Sequence, residues 1–579
     1  KGRNATKLLG TEGYAPHEQF NRKVGRQSDF YALGRTFVHL LTGTHPSEME
    51  ALDTLETWDT HTKYPISSSL VALINWLMEY FPHKRPKNAK VILKRLHQIQ
   101  NPNPILWLSR FGVFVAGMTG AIVSIDLFSP KACNSKLNDL LSCGEEILVP
   151  GNNLLEKQQG VEAFRSGKYQ EAIAHLETAW NQQHDPETLI YLNNARINLK
   201  GGNKIRTIAI VVSLSRTDKT KANEGFNQQK AIKHLYGIAQ AQSEAIAKGL
   251  NLQVLIAADA NDLEIAPKIA KALVSKPSIL AVLGHNTSEA TQKAMPIYAK
   301  HHLVLVSPSC PSTELSNGNR EPEEIFFFRV IHTNRIAARS IAQDLLQINQ
   351  QKKVAIFTNP HLSFSRSYQQ ELQEAFALTG QVEREVKAFD LSQASFNPEV
   401  AIATAKQQGA KAIVLVPDVG SSPYGLANAL KVVKSPHSRD LLLILSESLY
   451  NYQIPHQAAR NRHLFVNLWN IPQNQSTEFL RTAKALWQQE NVAWETTGTY
   501  DATLVIIAAL QQQPSRAGVQ KVLSSKSFRI AGATGVIEFE KGDRKENPSI
   551  PGYVLVKVVP KCAGGGYGFL PANQELKCS

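Results

Sequence analysis

The chain has 579 residues and a formal charge of +14, from 63 Lys and Arg against 49 Asp and Glu. A hydrophobic fraction of 43% and a charged fraction of 19% exclude a disordered, collagen-like or many-span membrane protein, and the length suggests about three to five domains. The 5 cysteines are too few for a disulfide scaffold, and no CxxC pair or zinc-spaced Cys/His cluster occurs, so no metal site is expected. The chain opens at Lys1 with neither a Met nor a signal peptide, and reads as a fragment or an incomplete gene product.

Residues 1–100 carry three blocks in order. Gly10 to Gln19 reads GTEGYAPHEQ, Ser28 to Pro46 reads SDFYALGRTFVHLLTGTHP, and Phe81 to Pro86 reads FPHKRP. Together they resemble part of a Ser/Thr protein-kinase C-lobe: the end of the activation segment, the helix after it, and the late Arg-Pro motif. The resemblance implies that Glu18 pairs with Arg85, that a buried Asp29 holds the backbone of the catalytic loop, and that Thr11 lines the substrate end. The match has departures: the Ala-Pro sits one place early, His17 precedes Glu18, and Glu12 stands where Pro is common. Phosphoryl transfer in a kinase needs a Gly-rich loop, a strand Lys, a base Asp with its Asn, and a metal-binding Asp. KGRNATKLL, before Gly10, contains neither DFG nor HRD. The chain alone is therefore expected to be inactive as a kinase and to need no cofactor; ATP and magnesium belong to a full-length enzyme.

Residues 105–128, ILWLSRFGVFVAGMTGAIVSIDLF, predict one transmembrane helix, with a buried core helix as the alternative. The uninterrupted core, Phe111 to Ile125, is short for a span of about 20 residues, and Arg110 and Asp126 bound it where they can snorkel. Lys84, Arg85, Lys87, Lys90, Lys94, Arg95 and Arg110 lie on the N-terminal side, with no acidic residue between Phe81 and Arg110. The positive-inside rule then places the N-terminal part in the cytoplasm, in a single-pass arrangement. The basic cluster is read as a topology signal, so no nucleic-acid partner is expected. Cys133, Cys143, Cys310, Cys562 and Cys578 all follow the candidate span, which suits an oxidising compartment. In the linker 129–155, Cys133 and Cys143 could close one local loop. Cys562 and Cys578 could close another around the tail 565–579, leaving Cys310 as a buried thiol. Five reduced cysteines are the alternative.

Residues 156–201 read as helical. QGVEAFRSGKYQEAIAHLETAW is followed by Pro186 and by ETLIYLNNARINLK. This resembles one tetratricopeptide repeat plus the first helix of another. Small residues such as Gly160, Ala163 and Ala172 let paired helices approach, and Phe164, Tyr169 and Trp180 fill the groove. One repeat cannot bury its own faces, so a spacer or docking role is expected.

Over residues 205–564, short apolar runs alternate with amphipathic stretches: TIAIVVSL, LQVLIAA, ILAVLG, LVLVSP, KVAIFT, AIVLVP, LLLILS and HLFVNL. Runs this continuous predict strands buried on both faces of a parallel sheet, hence a doubly wound α/β fold in two lobes with a ligand cleft between them.

Five blocks then resemble the type I periplasmic binding proteins, in their Leu/Ile/Val-binding branch. They are Ala281 to Ser316, FFRV at Phe327 to Val330, ILSESLY at Ile444 to Tyr450, TYDA at Thr499 to Ala502, and GATGVIEFEKGDR at Gly532 to Arg544. The resemblance implies that Ser288, with Thr287 beside it, holds a ligand carboxylate at a helix start. It implies that Ser309 adds backbone and hydroxyl groups, and that Glu447 faces the ligand ammonium. Phe364 stands where a tyrosine often sits by the cleft. Pro311 stands where a Thr is common, which removes a donor. Asp501 is expected to be structural. The architecture expected is thus multidomain: partial kinase C-lobe, membrane helix, short repeat segment and two-lobed solute-binding domain. It suits a receptor-like kinase fragment in the bacterial inner membrane, with a periplasmic domain binding an amino acid and a possible homo-oligomer. A tethered binding protein serving an ABC-type permease is the first alternative, and a ligand-independent interaction protein the second.

Overall fold

A computed structural model describes residues 13–14, 16, 25–45, 58, 62, 66–79, 82–100, 139–151, 154–201, 204–215, 224–349, 353–379, 386–450, 464–469, 477–488, 492–547, 552–560, 567–572 and 574. The chain forms two compact units, one built on residues 1–126 with 563–565 and the other on residues 127–562 with 566–579.

The first unit contains helices Arg26–Thr42, Ser68–Leu77 and Ala89–Gln100. Val38, Trp58, Val71 and Ile74 form a small buried cluster. A Cβ at Gly34 would stand 2.5 Å from Met78 Cγ, so glycine is what lets the first two helices touch. Arg85 is 2% exposed. It donates to the carbonyls of Glu79 (2.6 Å) and Gln27 (3.0 Å), and its guanidinium lies 4.7 Å from the centroid of the Tyr31 ring. The expectation of a buried Asp29 is corrected: Asp29 is exposed in the first turn of Arg26–Thr42, where the positive end of the helix favours a solvated carboxylate. Thr11 and Glu18 lie outside the described residues.

The expected membrane-crossing helix is also corrected. Residues 105–128 lie outside the described residues, and among the described residues no helix is long and apolar enough to cross a membrane. The longest described helix, Glu224–Ala247, has 24 residues but interrupts its apolar positions with Gln, Lys, His and Ser. The single-pass inner-membrane location that rested on the span falls with it.

The second unit has two lobes, each built on a sheet. In lobe 1 the order is β1-β3-β2-β4-β5-β6, with β1 Leu141–Ser142, β2 Arg206–Val212, β3 Leu252–Ala258, β4 Ile279–Leu283, β5 Val304–Ser307 and β6 Phe327–Arg329. Strands β2 to β6 pair in parallel, and their side chains are almost all buried because helices cover both faces. β1 joins β3 antiparallel. Lobe 2 contains β7 Val354–Thr358, β8 Val386–Asp390, β9 Ala412–Val416, β10 Leu442–Leu445 and β11 Leu464–Trp469, all parallel. Two short hairpins, β12 Ile530–Gly532 with β13 Gly535–Ile537 and β14 Phe539–Glu540 with β15 Asp543–Arg544, precede β16 Tyr553–Pro560 and β17 Tyr567–Pro571. The last two complete lobe 2 antiparallel, giving the order β17-β16-β11-β10-β9-β7-β8. Helix Trp494–Gln512 returns to lobe 1 and packs on Glu224–Ala247; a Cβ at Gly237 would stand 2.2 Å from Thr496 O.

Helices Leu155–Arg165, Tyr169–Gln182 and Pro186–Lys200 belong to lobe 1 rather than standing apart from it. Gly160 allows the first two to close, since a Cβ there would meet Leu176 Cγ at 2.7 Å. Most of Pro186–Lys200 is buried. Asn194 donates to the carbonyl of Val254 in β3, and Gln242 of Glu224–Ala247 donates back to Asn194. A buried ion cluster ties the segment together: Lys157 reaches Asp185 (3.1 Å) and Glu187 (2.6 Å), and Glu187 also accepts from the backbone of Leu148 and Val149. Cys143 is disulfide-bonded and Cys310 is a free buried thiol. Cys133, Cys562 and Cys578 lie outside the described residues.

Candidate functional site

Strand β4 ends at Leu283, and the chain turns through His285 into helix Ser288–Lys300. His285 is buried, with Nδ1 2.6 Å from Asp259 Oδ2 and Nε2 3.2 Å from Tyr298 Oη. These contacts fix the loop that carries Asn286, Thr287 and Ser288. Thr287, not Ser288, is the N-cap: its hydroxyl accepts from Ala290 N at 3.3 Å. Ser288 is therefore released from capping. Its Oγ is buried and has no hydrogen-bond partner among the described residues. Next to it, Cys310 Sγ donates to His285 O, and burial pushes this thiol up to about 11, so it acts as a neutral support for the loop.

Facing this from lobe 2, β10 ends and Glu447 opens the short 3-10 turn Glu447–Leu449. Its Oε2 is buried and has no hydrogen-bond partner among the described residues. Burial pushes the carboxyl up to about 7, with only partial relief from its own backbone N–H and from Lys230. Ser288 and Glu447 line one cavity of about 80 Å³ between the lobes, together with Thr287, Ser309, Pro311 and Phe364. Every ligand-binding residue expected from the sequence thus lies at the same cleft. Ser309 Oγ donates to Asn286 O at 3.4 Å, and the Phe364 ring stands edge-on to Tyr368. Asp501 lies away from the cavity, accepting from the N–H groups of Ala533 and Thr534.

The cleft also holds residues that sequence reasoning missed. Asn227, Lys230 and His234 follow one another along a face of Glu224–Ala247 and line the cavity, as do Asn261, Asp418, Trp494, Glu495 and Tyr553. Burial lowers the Lys230 ammonium, an effect opposed chiefly by Glu495. Burial holds His234 down to about 4; its Nδ1 is 2.7 Å from Thr499 Oγ1, so it is a neutral hydrogen-bonding side chain at physiological pH. The i, i+3, i+7 spacing of the three helix residues was the available signal, but spacing alone does not say which face meets a cleft. The lobes touch across the cavity. Asn227 Nδ2 donates to Gly420 O at 3.1 Å, and a Cβ at Gly420 would stand 2.5 Å from Thr287 Cγ2.

Two sheet-based lobes with a polar cleft at the carboxyl ends of their strands define a ligand-binding protein of the two-lobed α/β class. The periplasmic binding protein family profile matches residues 235–559, more than half of the chain, and the chain belongs to that family. Its fold resembles the branched-chain amino-acid substrate-binding protein LivJ of Streptococcus pneumoniae, solved with isoleucine: TM-score 0.50, 16% identity, covering 64% of this chain and 100% of that one. It also resembles the leucine-binding protein LivK of Thermotoga maritima, with TM-score 0.51, 16% identity and coverage of 63% and 98%. At these identities the likeness shows the fold. A separate similarity links the chain to the serine/threonine-protein kinase PknA of Nostoc, 36% identical over 91 residues. That match covers 15% of this chain and spans 16% of the kinase's length.

Proposed function

We propose that the second unit binds a small zwitterion, an amino acid, and retains it between its closed lobes. The observation that carries this reading is the pair of buried, unpartnered polar atoms on opposite lobes of one cavity, Ser288 Oγ and Glu447 Oε2. A hydroxyl and N–H groups at a helix start suit a carboxylate. A buried carboxyl short of positive charge suits an ammonium. The solved relatives named with isoleucine or leucine favour an amino acid. The aromatic lining from Phe364, Trp494 and Tyr553 suits an apolar side chain. The disulfide at Cys143 favours an extracytoplasmic location.

Calorimetry of the full chain against an amino-acid panel tests this. Glu447→Gln keeps the shape and removes the charge; the expected loss is about 1.5–3 kcal/mol, roughly one to two powers of ten in affinity. Ser288→Ala should weaken carboxylate ligands and leave neutral amines less affected. Binding that ignores both substitutions would sink the assignment of these residues.

Delivery to an ABC-type permease is the role favoured by the family. The kinase similarity favours a second role, in which solute occupancy reports to a kinase. No catalysis is assigned to this chain, which contains neither DFG nor HRD. Binding to purified permease, or phosphorylation changes that follow the solute, would separate the two roles.

A further inference from the structure

Glu289 stands in the first turn of Ser288–Lys300, on lobe 1, yet its carboxyl group is engaged by lobe 2. Oε1 accepts the backbone N–H of Phe364 at 3.1 Å, and Oε2 lies 3.5 Å from Ser421 Oγ. Asp418, in the loop after β9, accepts the backbone N–H of the same Ser421 at 2.6 Å, which sets it beside the Glu289 carboxyl. Both acids are buried, Glu289 at 6% exposure and Asp418 at 3%. Asp418 Oδ1 already accepts the N–H groups of Gly420, Ser421 and Ser422 at 3.1, 2.6 and 3.3 Å. Burial and the neighbouring Asp418 both disfavour a charge on Glu289, so its neutral, protonated form is the one held between the lobes. The proton therefore sits on Glu289.

The neighbouring charges leave this arrangement in place. Arg366, from Ser363–Thr379, is turned to Glu314 through two bonds of 2.7 Å. Lys230, from Glu224–Ala247, has Glu495 as its leading carboxylate influence, ahead of Asp418 and Glu447. The Cys310 thiol, from the loop after β5, stays neutral. We infer that Glu289, set beside Asp418, is a proton-operated latch between the lobes, closed while its carboxyl keeps its proton and released when that proton passes to solvent. The inference rests on the solute-binding reading, since a latch matters where lobe closure retains a ligand. Burial and the nearby Asp418 push the Glu289 carboxyl up to about 8, so the latch holds at acid and neutral pH and opens in the alkaline range.

The test is the distance between one label on each lobe of the full chain, measured without solute across a titration from about pH 6 to pH 10. The native chain should open in a single-proton step near pH 8. Glu289→Gln can still accept from Phe364 N but cannot titrate, so its lobes should stay closed throughout. Asp418→Asn removes the neighbouring carboxyl group and should abolish or weaken the same step; a thermal melt checks that its loop has not unfolded. No opening in the native chain, or an unchanged step in Glu289→Gln, overturns the latch. The readout uses no solute. A pH step without any amino-acid binding would therefore keep the latch and reject the solute reading; binding without the step would do the reverse.

Discussion

At the residue scale, Glu447 has a measurable cost before any ligand arrives. Its carboxyl is raised from 4.5 to about 7 by burial, so the folded chain binds more protons than the unfolded one between those values. The stabilising contribution is fully present below pH 4.5 and is lost as pH rises through about 7. The penalty at neutral pH is on the order of 3 kcal/mol. Glu447→Gln should therefore raise the melting temperature of the solute-free chain at pH 7.5 and leave it nearly unchanged at pH 4.5. An ammonium ligand reverses the shift, so binding near pH 6 should release a proton. Calorimetry in buffers of different ionisation enthalpy would show this, and Glu447→Gln should abolish it. Equal melting temperatures for the two proteins at neutral pH would mean that Glu447 is solvated and not poised for a cation.

At the scale of elements, the helices of residues 155–200 behave as part of lobe 1. Lys157 is fully buried between Asp185 and Glu187, and removing it strands two carboxylates in the interior. Lys157→Met should cost about 3–5 kcal/mol, read as a lower melting temperature of the second unit. A change below about 1 kcal/mol would mean that water reaches the cluster. The sequence showed these helices clearly, because Gly160, Ala163 and Phe164 recur at helical spacing. It did not show that Pro186–Lys200 is buried on nearly every side, since Asn193 and Asn194 read as solvent-facing until Gln242 and Val254 appear opposite them. The strands were legible as apolar runs such as Thr207 to Leu214, and Ser288 and Glu447 were legible through the blocks that contain them. Lys230, Asp418 and Trp494 were not, because a cleft is made by elements distant in sequence. The span expected at residues 105–128 lies outside the described residues, and its unbroken core was already shorter than the length a span needs.

At the scale of the whole second unit, closure depends on a near approach at Gly420. A side chain there would press on Thr287 across the cleft, so Gly420→Val should leave the fold of either lobe intact and weaken solute binding by at least tenfold. Scattering should show the variant staying open when solute is added; unchanged affinity would mean that the lobes tolerate a wider gap. The short strand β1 has a different consequence. β3 is buried on both faces and ends the parallel run of lobe 1, so without β1 its outer backbone groups would be offered to any passing chain. Leu141 and Ser142 occupy that edge from within the molecule, and Leu140 adds its carbonyl to Ala258 N. An expression fragment starting at Arg206 would carry an unguarded strand as well as the naked seat of Pro186–Lys200, an invitation to self-association. Residues 139–200 are in that sense a built-in chaperone for the lobe they cover.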